Sequence, residues 1–586
     1  MNDTPLPPLP TELAKNIESA SAFGNRPRSE RLAAPATVAE TLHKRAAEQG
    51  GDPYLTYLAE DGVERRYTYA EFYREVRRAA AMLHVFAGVQ RGERIITAMH
   101  NHDQAIILTF AAWHLGASVV PLNMGEDDRR LAYVLEHSRG KALFVLSEYA
   151  DRLRPLAQTV SAIEEIVRVG GSAGEGEIRL ESVLPPVDVP QFAAPDGVQP
   201  DDEALIVYTS GTTGAPKGVV LTQYNLIADA FAITQWQKLT PQTRMMCVLP
   251  IHHVNGMEVT HVTPLFFGGS VVLNRKFSAR GFFPTIAKYG VHVVSVVPTL
   301  LQFLLEATPP EFDARRDAPT LRHIICGAGP LTVDLAARFE DRFGIPICHG
   351  YGLSESTCYS CFVPIPSVAD GGVREPAHRA WMRDFGYPSI GAPIACNEMA
   401  IHDEYGRAQA EGVKGEIVIR GHNVTPGYYD NLKANEGAFT HGWFRTGDEG
   451  FFKRAPNVKG EQGQEGGAPF FFISGRFKEL IVRGGVKISP LEVDEVLNAI
   501  NGVQAAMAVG FENVTYGEEV GAYVVRKPGS TVSADAVLSA CRAKLAPHAT
   551  PKVVVFGETF PVTSTGKYQR NTLKPLFSEW KEAQFR

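Results

Sequence analysis

Residues 208–218 read YTSGTTGAPKG and directly follow the apolar run ALIV at residues 204–207. Glycine lets a backbone pack closely against a ligand with its N–H groups turned inward. The hydroxyl groups of serine and threonine add hydrogen-bond donors, and lysine adds a mobile positive charge. The Walker arrangement is absent because Lys217 follows Pro216 and precedes Gly218. A strand that leads into such a loop predicts a binding site for a polyphosphate.

The composition is typical of a globular protein, since 44% of the 586 residues are hydrophobic and 21% are charged. A chain of this length predicts one large domain with smaller ones attached to it. The formal net charge of −7 offers no basic surface for nucleic acid, so we expect no nucleic-acid partner.

The cysteines and the apolar segments indicate the compartment. Seven cysteines are few and odd in number, which favours a reducing cytoplasm over a disulfide framework. Cys358 and Cys361 have no second pair at zinc-ligand spacing, so we interpret them as small residues near a pocket wall.

Residues 1–10 have neither a basic start nor an apolar core, which predicts no secretory signal. Residues 105–122 predict a buried helix and then a strand, because Pro121 breaks the apolar run, and we expect no membrane span and a cytoplasmic protein.

Short β-branched runs alternate with helical patterns on both sides of the glycine-rich loop. Runs typical of strands lie at residues 94–97, 119–120, 142–146, 271–273, 293–297 and 323–326. Patterns typical of helices lie at residues 225–231, 282–289 and 333–343. This alternation predicts an α/β fold with doubly wound parallel sheets. Beyond residue 390, the alternating run at residues 415–420 predicts a smaller antiparallel β unit.

Two helix starts are marked by capping residues. Thr68 and Glu71 have the spacing of a capping box. Ser489, followed by Pro490 and Glu492, predicts the capped start of a helix in a separate C-terminal domain.

Two segments interrupt the regular pattern. Residues 1–35 are rich in proline and predict an irregular arm or a short helix that lies on the main body. Residues 454–468 are polar and rich in glycine, and they predict an enlarged hairpin loop on the surface.

Four motifs resemble signatures of the adenylate-forming superfamily, which includes acyl- and aryl-CoA synthetases, peptide-synthetase adenylation domains and firefly luciferase. The motifs are TSGTTGAPKG at residues 209–218, YGLSE at 351–355, RTGD at 445–448 and PVTSTGK at 561–567. The resemblance extends from about residue 37 to Arg570. It implies a large domain of two doubly wound βαβ subdomains plus a small distorted β-barrel, followed by a small mobile α+β domain. The implied division is an arm at 1–35, a large adenylating domain at 36–475 and a small domain at 476–586.

The resemblance implies that the glycine-rich loop holds the β- and γ-phosphates of ATP. The phosphate-binding residues that it implies are Thr209, Ser210, Gly211, Thr212, Thr213, Gly214 and Lys217. The implied residues around adenine are Gly327, Ala328, Gly329, Pro330, Gly350, Tyr351 and Gly352.

Further polar residues complete the implied nucleotide site. Ser354 keeps the hydroxyl that the family places against the α-phosphate. Glu355 offers a hard oxygen to Mg²⁺, with Thr209 as an outer partner of the ion. Asp448 is implied to accept hydrogen bonds from both ribose hydroxyls, and Arg476 is implied to reach the nucleotide.

Catalysis is implied for residues that are far apart in the sequence. His253 matches the histidine that orients the substrate carboxylate. Lys567 is implied to bridge that carboxylate and the α-phosphate during adenylation. Lys478 occupies the hinge position between the domains, and Gly484 and Gly485 are implied to line a tunnel for the thiol.

The function that the resemblance implies is an ATP-dependent carboxylate–CoA ligase that forms acyl-AMP, with ATP, CoA and a carboxylic acid as small-molecule partners. We expect the acid pocket to draw on the stretch after Trp236, on residues 254–260 and 297–302, and on the region after Glu355. These stretches are mostly apolar or small, which favours a fatty or aromatic acid. An acyl-AMP ligase that loads an acyl carrier protein stays open, as does a catalytically silent nucleotide-binding regulator. Amino-acid activation is less favoured, since the stretch after His253 shows no convincing acidic partner for an ammonium group; Glu258 is the nearest candidate. We expect a monomer or a homodimer.

Overall fold

The computed structural model describes residues 9–60, 62–172, 177–186, 192, 194–209, 215–329, 331–365, 388–454, 468–563 and 568–585. Its α-helices are α1 Thr11–Ala20, α2 Val38–Glu48, α3 Tyr69–Val85, α4 Asp103–His114, α5 Asp128–Ser138, α6 Ser147–Ala157, α7 Leu180–Val183, α8 Gln223–Gln237, α9 Thr263–Phe267, α10 Phe282–Tyr289, α11 Pro298–Ala307, α12 Ala314–Asp317, α13 Val333–Phe343, α14 Leu432–Ala438, α15 Pro490–Asn498 and α16 Ala534–Lys544. A π-helix spans Asn255–Val262, and 3₁₀ segments span Ser354–Ser356 and Arg570–Trp580.

The described strands form four sheets. Their bounds are β1 Pro53–Leu58, β2 Glu64–Thr68, β3 Arg94–Ala98, β4 Ser118–Pro121, β5 Ala142–Leu146, β6 Glu165–Val169, β7 Ile178–Arg179, β8 Glu203–Thr209, β9 Lys217–Thr222, β10 Arg244–Cys247, β11 Ser270–Asn274, β12 Val293–Val296, β13 His323–Cys326, β14 Ile347–Tyr351, β15 Cys361–Phe362, β16 Ala392–Pro393, β17 Asn397–His402, β18 Gly415–Gly421, β19 Gly427–Tyr428, β20 Phe439–Thr440, β21 Trp443–Arg454, β22 Pro469–Arg476, β23 Ile481–Arg483, β24 Val486–Ile488, β25 Val503–Asn513, β26 Gly517–Arg526 and β27 Val553–Gly557.

The first sheet has the strand order β19-β9-β8-β4-β3-β5-β6-β7. The pairs from β8 through β4, β3, β5 and β6 to β7 are parallel, whereas β9 pairs antiparallel with both β8 and β19. All five residues of β5 are buried, as expected for a parallel strand covered on both faces. The antiparallel edge brings the end of β8 and the start of β9 together at one corner of the sheet.

The second sheet has the strand order β16-β15-β14-β13-β12-β10-β11-β1-β2. Its interior pairs, from β14 to β1, are parallel, and both edges are antiparallel. The two sheets confirm the doubly wound α/β arrangement predicted from the alternation of strand and helix patterns. The predicted bounds of β5, β13, α10 and α13 agree with the structure to the residue.

Helices pack between the two large sheets and form the main core. Every residue of α4 except Gln104 is buried, because protein surrounds this largely apolar helix on nearly all sides. Tyr54, Phe72, Phe110 and Trp113 are at most 2% exposed and belong to one cluster. The indole Nε1 of Trp113 donates to the carbonyl oxygen of Ala204 at 2.6 Å, which ties α4 to the start of β8. The predicted buried helix and strand over residues 105–122 are therefore confirmed. No described helix combines the length and apolar character that crossing a membrane requires.

The third sheet is antiparallel, with the order β17-β18-β21-β20 and with β22 paired to β21, and it forms the predicted curled β unit. Helix α1 of the N-terminal arm lies against it, where Asn16 Oδ1 accepts from the backbone N–H of Gly442 at 2.9 Å. Strands β21 and β22 pair with Arg454 opposite Pro469, which confirms the hairpin. Residues 455–467 of the predicted hairpin loop lie outside the described residues.

The fourth sheet belongs to the small C-terminal domain and has the order β24-β23-β26-β25, with β27 parallel to β26. Helices α15 and α16 pack on it around Val493, Leu497 and Val537. The small α+β domain is therefore confirmed. The division of the chain at residues 35 and 475 stays a prediction.

The helix caps are partly as predicted. Thr68 and Glu71 form the reciprocal capping box of α3. The capping role predicted for Ser489 is wrong, because its hydroxyl makes no cap hydrogen bond and donates instead to the carbonyl oxygen of Ser474. That carbonyl lies in β22, so a tertiary partner outcompetes the local one.

Candidate active site

Two antiparallel strands hold the ends of the phosphate loop side by side. Strand β8 enters the loop and β9 leaves it, with Thr209 directly opposite Lys217. The Thr209 hydroxyl donates to the Lys217 carbonyl oxygen at 3.4 Å. The predicted strand before the loop is confirmed. The loop residues that lie outside the described part of the chain are Ser210, Gly211, Thr212, Thr213 and Gly214.

A tyrosine connects Lys217 to Glu355. The ammonium Nζ of Lys217 lies 4.6 Å from the ring centroid of Tyr428, a cation–π distance. The hydroxyl of Tyr428 donates to Glu355 Oε1 at 2.8 Å, and burial raises the pKa of this phenol, so it remains a donor. The backbone N–H of Thr425 also donates to the Glu355 carbonyl oxygen, at 2.8 Å. The phosphate-loop strand and the YGLSE motif are therefore neighbours in the fold.

The charges around this junction suit an anionic ligand. Burial lowers the pKa of Lys217, the nearby positive charge of Lys478 lowers it further, and Glu355 acts in the opposite direction. Two ammonium groups thus lie within electrostatic reach of each other. A phosphate group bound between them would relieve their repulsion, since opposite charges favour the ionised form of both.

Asp448 sits at the meeting point of the second and third sheets. It is 1% exposed, and its Oδ2 accepts from the hydroxyl of Tyr351 at 2.6 Å. Its Oδ1 accepts from Nε of Arg476 at 2.8 Å. Burial raises the pKa of Asp448 and of Tyr351, while the charge of Asp448 raises the pKa of Arg476. A carboxylate has about four acceptor positions, so two remain for further donors such as ribose hydroxyls.

The glycines of the adenine segment pack against protein atoms. A Cβ on Gly327 would lie 2.7 Å from the Tyr359 hydroxyl, and one on Gly352 would lie 2.0 Å from the Cys358 carbonyl oxygen. Gly329 differs, because a Cβ there would meet only Pro298, at 3.5 Å. Ala328 has a φ of +65°, a strained backbone for alanine that is typical of functional turns.

The same packing holds for Gly350, and the neighbouring residues complete the segment. A Cβ on Gly350 would lie 2.4 Å from Phe362 Cδ1, so this glycine serves the close approach of β14 and β15. Ser354 and Glu355 lie in the 3₁₀ turn that follows β14. Pro330 lies outside the described residues.

His253 borders a cavity that also reaches the phosphate-loop strands. The lining of this cavity includes Leu122, Tyr208, Pro216, His252 and His253. The imidazole rings of His252 and His253 are 4.5 Å apart, and burial lowers the pKa of His252 to about 4. The π-helix Asn255–Val262 follows directly, and such helices occur frequently at functional sites.

Glu258 is occupied within the protein. It is fully buried, accepts from the Thr263 hydroxyl at 2.9 Å and lies beside the equally buried Asp229. Burial raises the pKa of Glu258, and the neighbouring carboxylate raises it further.

The predicted hinge residue Lys478 and the pair Gly484 and Gly485 lie on consecutive turns. Lys478 follows Arg476 in a turn in which the Arg476 carbonyl oxygen accepts from the backbone N–H groups of Glu479 and Leu480. Gly484 and Gly485 have φ values of +56° and +86° and form the two-residue turn between β23 and β24. Positive φ at both positions is the requirement of a type I′ hairpin, which glycine meets without strain.

Lys567 lies outside the described residues, but the structure describes contacts of residues on either side of it. Val562 and Tyr568 form an antiparallel bridge. The guanidinium of Arg570 binds Asp494 of α15 through two hydrogen bonds of 2.6 and 3.2 Å, and both side chains are buried. A buried bidentate pair of this kind fixes the segment that follows Lys567 on α15.

Tyr428 is a site residue that the sequence reasoning missed. It contacts Lys217 and Glu355 only because β19 pairs with β9, and more than 200 residues separate the two strands. The run Gly427-Tyr428-Tyr429 is a local signal, since it places aromatic residues after a glycine in the β unit. Its position beside the phosphate loop could not be read from the sequence.

Comparisons with known proteins identify the family of this chain. The profile of the AMP-binding enzyme family matches residues 42–429, and that of the AMP-binding enzyme C-terminal domain matches residues 492–567. Oxalate–CoA ligase of Arabidopsis thaliana is 33% identical over 87% of this chain and 94% of its own. Feruloyl-CoA synthase of an Amycolatopsis species is 31% identical over 90% of this chain and 96% of its own. The ATP-bound structure of MatB from Rhodopseudomonas palustris superposes with a TM-score of 0.76 at 25% identity, over 93% of this chain and all of that one.

The fold and these matches together define an ATP-binding enzyme with a small C-terminal domain. The chain belongs to the AMP-binding enzyme family, in its acyl- and aryl-CoA synthetase branch.

Proposed function

We propose that this chain activates a carboxylic acid with ATP as acyl-AMP and then transfers the acyl group to CoA. One observation carries the proposal: Lys217 of the first sheet, Glu355 after the second sheet and Asp448 of the third converge at one junction. Tyr428 contacts both Lys217 and Glu355, and Tyr351, four residues before Glu355 in the chain, donates to Asp448. Phosphate, metal and ribose partners are thus available at one place.

In the first step, one carboxylate oxygen attacks the α-phosphorus of ATP, and the bond to pyrophosphate breaks. Lys217 and the loop hold the departing β- and γ-phosphates, because a positive charge and N–H donors stabilise them. Lys567 bridges the carboxylate and the α-phosphate, which offsets their repulsion and the charge that builds in the transition state. Ser354 contacts the α-phosphate, and Asp448 holds the ribose.

Mg²⁺ supplies charge neutralisation between the phosphates when it is bound. The donors present suit this ion, since Glu355 offers a carboxylate oxygen and Thr209 an outer hydroxyl. In the described part of the chain, no group of three or more His, Cys, Asp or Glu side chains is placed to hold a metal.

In the second step, the sulfur of CoA attacks the carbonyl carbon of acyl-AMP, the bond to AMP breaks and the thiol proton passes to solvent. A swing of the small domain about Lys478 removes Lys567 and brings Gly484 and Gly485 to the site. Glycines leave room there for a narrow pantetheine arm. The small domain thereby serves both steps in turn.

The acid lies beside His253, which orients its carboxylate. His253 is not a general base, because a carboxylate has no proton to lose near neutral pH. Met257, Val259 and Cys358 are apolar and buried in the stretches that the sequence assigns to this pocket. They favour a fatty or aromatic acid.

The test is pyrophosphate release from ATP with a panel of short dicarboxylic, aromatic and fatty acids. We expect release that depends on one acid class, with thioester formed when CoA is added. Release followed by transfer only to a phosphopantetheine-loaded carrier protein would assign the acceptor to that protein instead. ATP binding without acid-dependent release for any member of the panel would overturn the ligase proposal and favour a silent regulator.

A further inference from the structure

Helix α13 begins immediately after the adenine segment, and its first N–H groups need acceptors from elsewhere. The Thr332 hydroxyl accepts from the backbone N–H of Leu335 at 3.2 Å. The N–H of Val333 is taken by Glu495 of the small domain, whose two carboxylate oxygens are each 3.1 Å from it. A side chain of the small domain therefore caps a helix of the large domain.

Helix α15 connects this contact to the segment around Lys567. Glu495 faces α13, while the preceding residue, Asp494, holds Arg570 in a buried bidentate pair. Tyr568 lies within electrostatic reach of Glu306 in α11 of the large domain, and burial raises its pKa to about 12. Tyr568, the residue after Lys567, thus faces the large domain in this arrangement.

A second interdomain contact lies close by. Nε2 of Gln504 in β25 donates to Glu306 Oε1 at 2.5 Å. Nε2 of Gln302 donates to the same carboxylate oxygen at 2.6 Å, which fixes Glu306 on α11. The contact between Gln504 and Glu306 is exposed, unlike that of Glu495, so we expect it to contribute less to docking of the small domain.

We propose that Glu495 is a positioning residue for adenylation: its contact with the N-terminus of α13 docks the small domain in the orientation that brings Lys567 to the α-phosphate. This inference rests on the proposed two-step function. The contact breaks when the small domain swings for thioester formation, so it stabilises only the adenylating orientation. It also ties docking to the helix that directly follows the adenine segment.

Docking also changes the protonation of Glu495. Burial raises its pKa to about 8, the charges of Asp494 and Asp334 raise it further, and the N–H of Val333 opposes them. Arg570 pairs with Asp494, and Arg338 pairs with Asp334 at 2.6 Å. In the undocked domain a hydrated carboxyl returns toward the ordinary value of about 4.3. The docked form therefore binds the proton more tightly, and docking weakens as the pH rises from about 4.3 toward about 8.

The test separates the two half-reactions in Glu495→Ala, Glu495→Gln and the control Glu492→Ala, which alters an exposed residue of the same helix. We expect Glu495→Ala to lower the rate of acid-dependent pyrophosphate release about tenfold, since it leaves the Val333 N–H without its acceptor. Thioester formation from supplied acyl-AMP and CoA should change less than about twofold, because this step does not use the contact that the substitution removes. The control should match the wild type in both assays.

Glu495→Gln distinguishes docking from a general loss of structure. Its amide oxygen still accepts from Val333 but carries no titrating proton, so we expect release near the wild-type rate with a weaker decline toward high pH. Gln504→Ala should act like Glu495→Ala, with a smaller loss.

Three results would overturn the proposal: equal losses in both half-reactions of Glu495→Ala, no loss in either, or a Gln variant as impaired as the Ala variant. Circular dichroism of each variant excludes unfolding as the cause. Absence of acid-dependent release in the wild type would contradict the ligase function itself and is thus distinguishable.

Discussion

At the scale of single residues, one phenol holds the Glu355 carboxylate in place. Tyr428 donates to Glu355 while its ring face contacts Lys217, so one side chain orients an anion and a cation at the same time. Hydrogen bonds to charged groups contribute more than neutral ones, and an oriented carboxylate loses less freedom when it binds an ion.

Tyr428→Phe tests this role. The ring and its cation–π contact remain, but Glu355 loses its donor, so we expect the apparent affinity for Mg²⁺ in pyrophosphate release to fall about tenfold. A titration of activity against Mg²⁺ at fixed ATP measures the change. Tyr429→Phe is the matched control, because its hydroxyl interacts with Arg94 at 3.1 Å, away from Glu355. An unchanged Mg²⁺ dependence would remove Tyr428 from the site.

At the scale of elements, strand pairing determines which motifs meet. Strand β9 pairs with β8 on one side and with β19 on the other, so it brings the phosphate loop to Tyr428. In the small domain, two successive residues of α15 make contacts in different directions. Asp494 binds Arg570, and Glu495 binds the backbone N–H of Val333 in the large domain. The role predicted for Lys567 depends on β9, which positions the phosphate loop, and on α15, which positions the segment after Lys567.

Lys567→Ala tests the catalytic segment. We expect acyl-AMP formation to be abolished, because no other ammonium is assigned to bridge the carboxylate and the α-phosphate. Thioester formation from supplied acyl-AMP should be largely retained, since Lys567 leaves the site for that step. The two half-reactions are measured separately, with Lys574→Ala, a change of an exposed lysine in the same domain, as the control. Equal loss in both halves would refute the two-orientation scheme.

Local sequence patterns predicted the elements but not all their partners. The apolar runs of β5 and β13 and the periodic pattern of α13 were sufficient, because each is encoded within a few residues. Helix α8 extends beyond the predicted 225–231, since Thr222 and Asn225 form an unrecognised capping box. The partners of Ser489, Tyr428 and Glu495 depend on contacts between distant segments, which periodicity does not report.

At the scale of the whole molecule, the chain places one nucleotide site among three sheets and a small domain beside it. The sequence motifs predicted that Lys217, Glu355 and Asp448 meet around one nucleotide. Lys217 and Glu355 share Tyr428 as a partner, and Asp448 is bonded to Tyr351 of the segment that carries Glu355. Domain movement is the part that the motifs imply only by resemblance. The turn at Lys478 lies between the last strand of the large domain and β23 of the small domain.

Lys478→Pro tests that movement. Proline fixes φ near −65° and removes the N–H, so it restricts the backbone rotation that a hinge requires. We expect one half-reaction to be retained and the other, together with overall turnover, to fall about tenfold or more. Lys478→Ala keeps the backbone free and serves as the control. Overall turnover equal to that of the wild type would remove the hinge assignment.

The central claim is that a carboxylate oxygen attacks the α-phosphorus of ATP, and isotope transfer tests it most directly. The enzyme is supplied with ATP, CoA and an accepted acid labelled with oxygen-18 at both carboxylate oxygens, and the AMP product is analysed by mass spectrometry. We predict one labelled oxygen in each AMP. The thiol attacks the acyl carbon and breaks its bond to that oxygen, so the oxygen leaves with the phosphate of AMP. Unlabelled AMP, or formation of ADP in its place, would contradict an acyl-AMP intermediate.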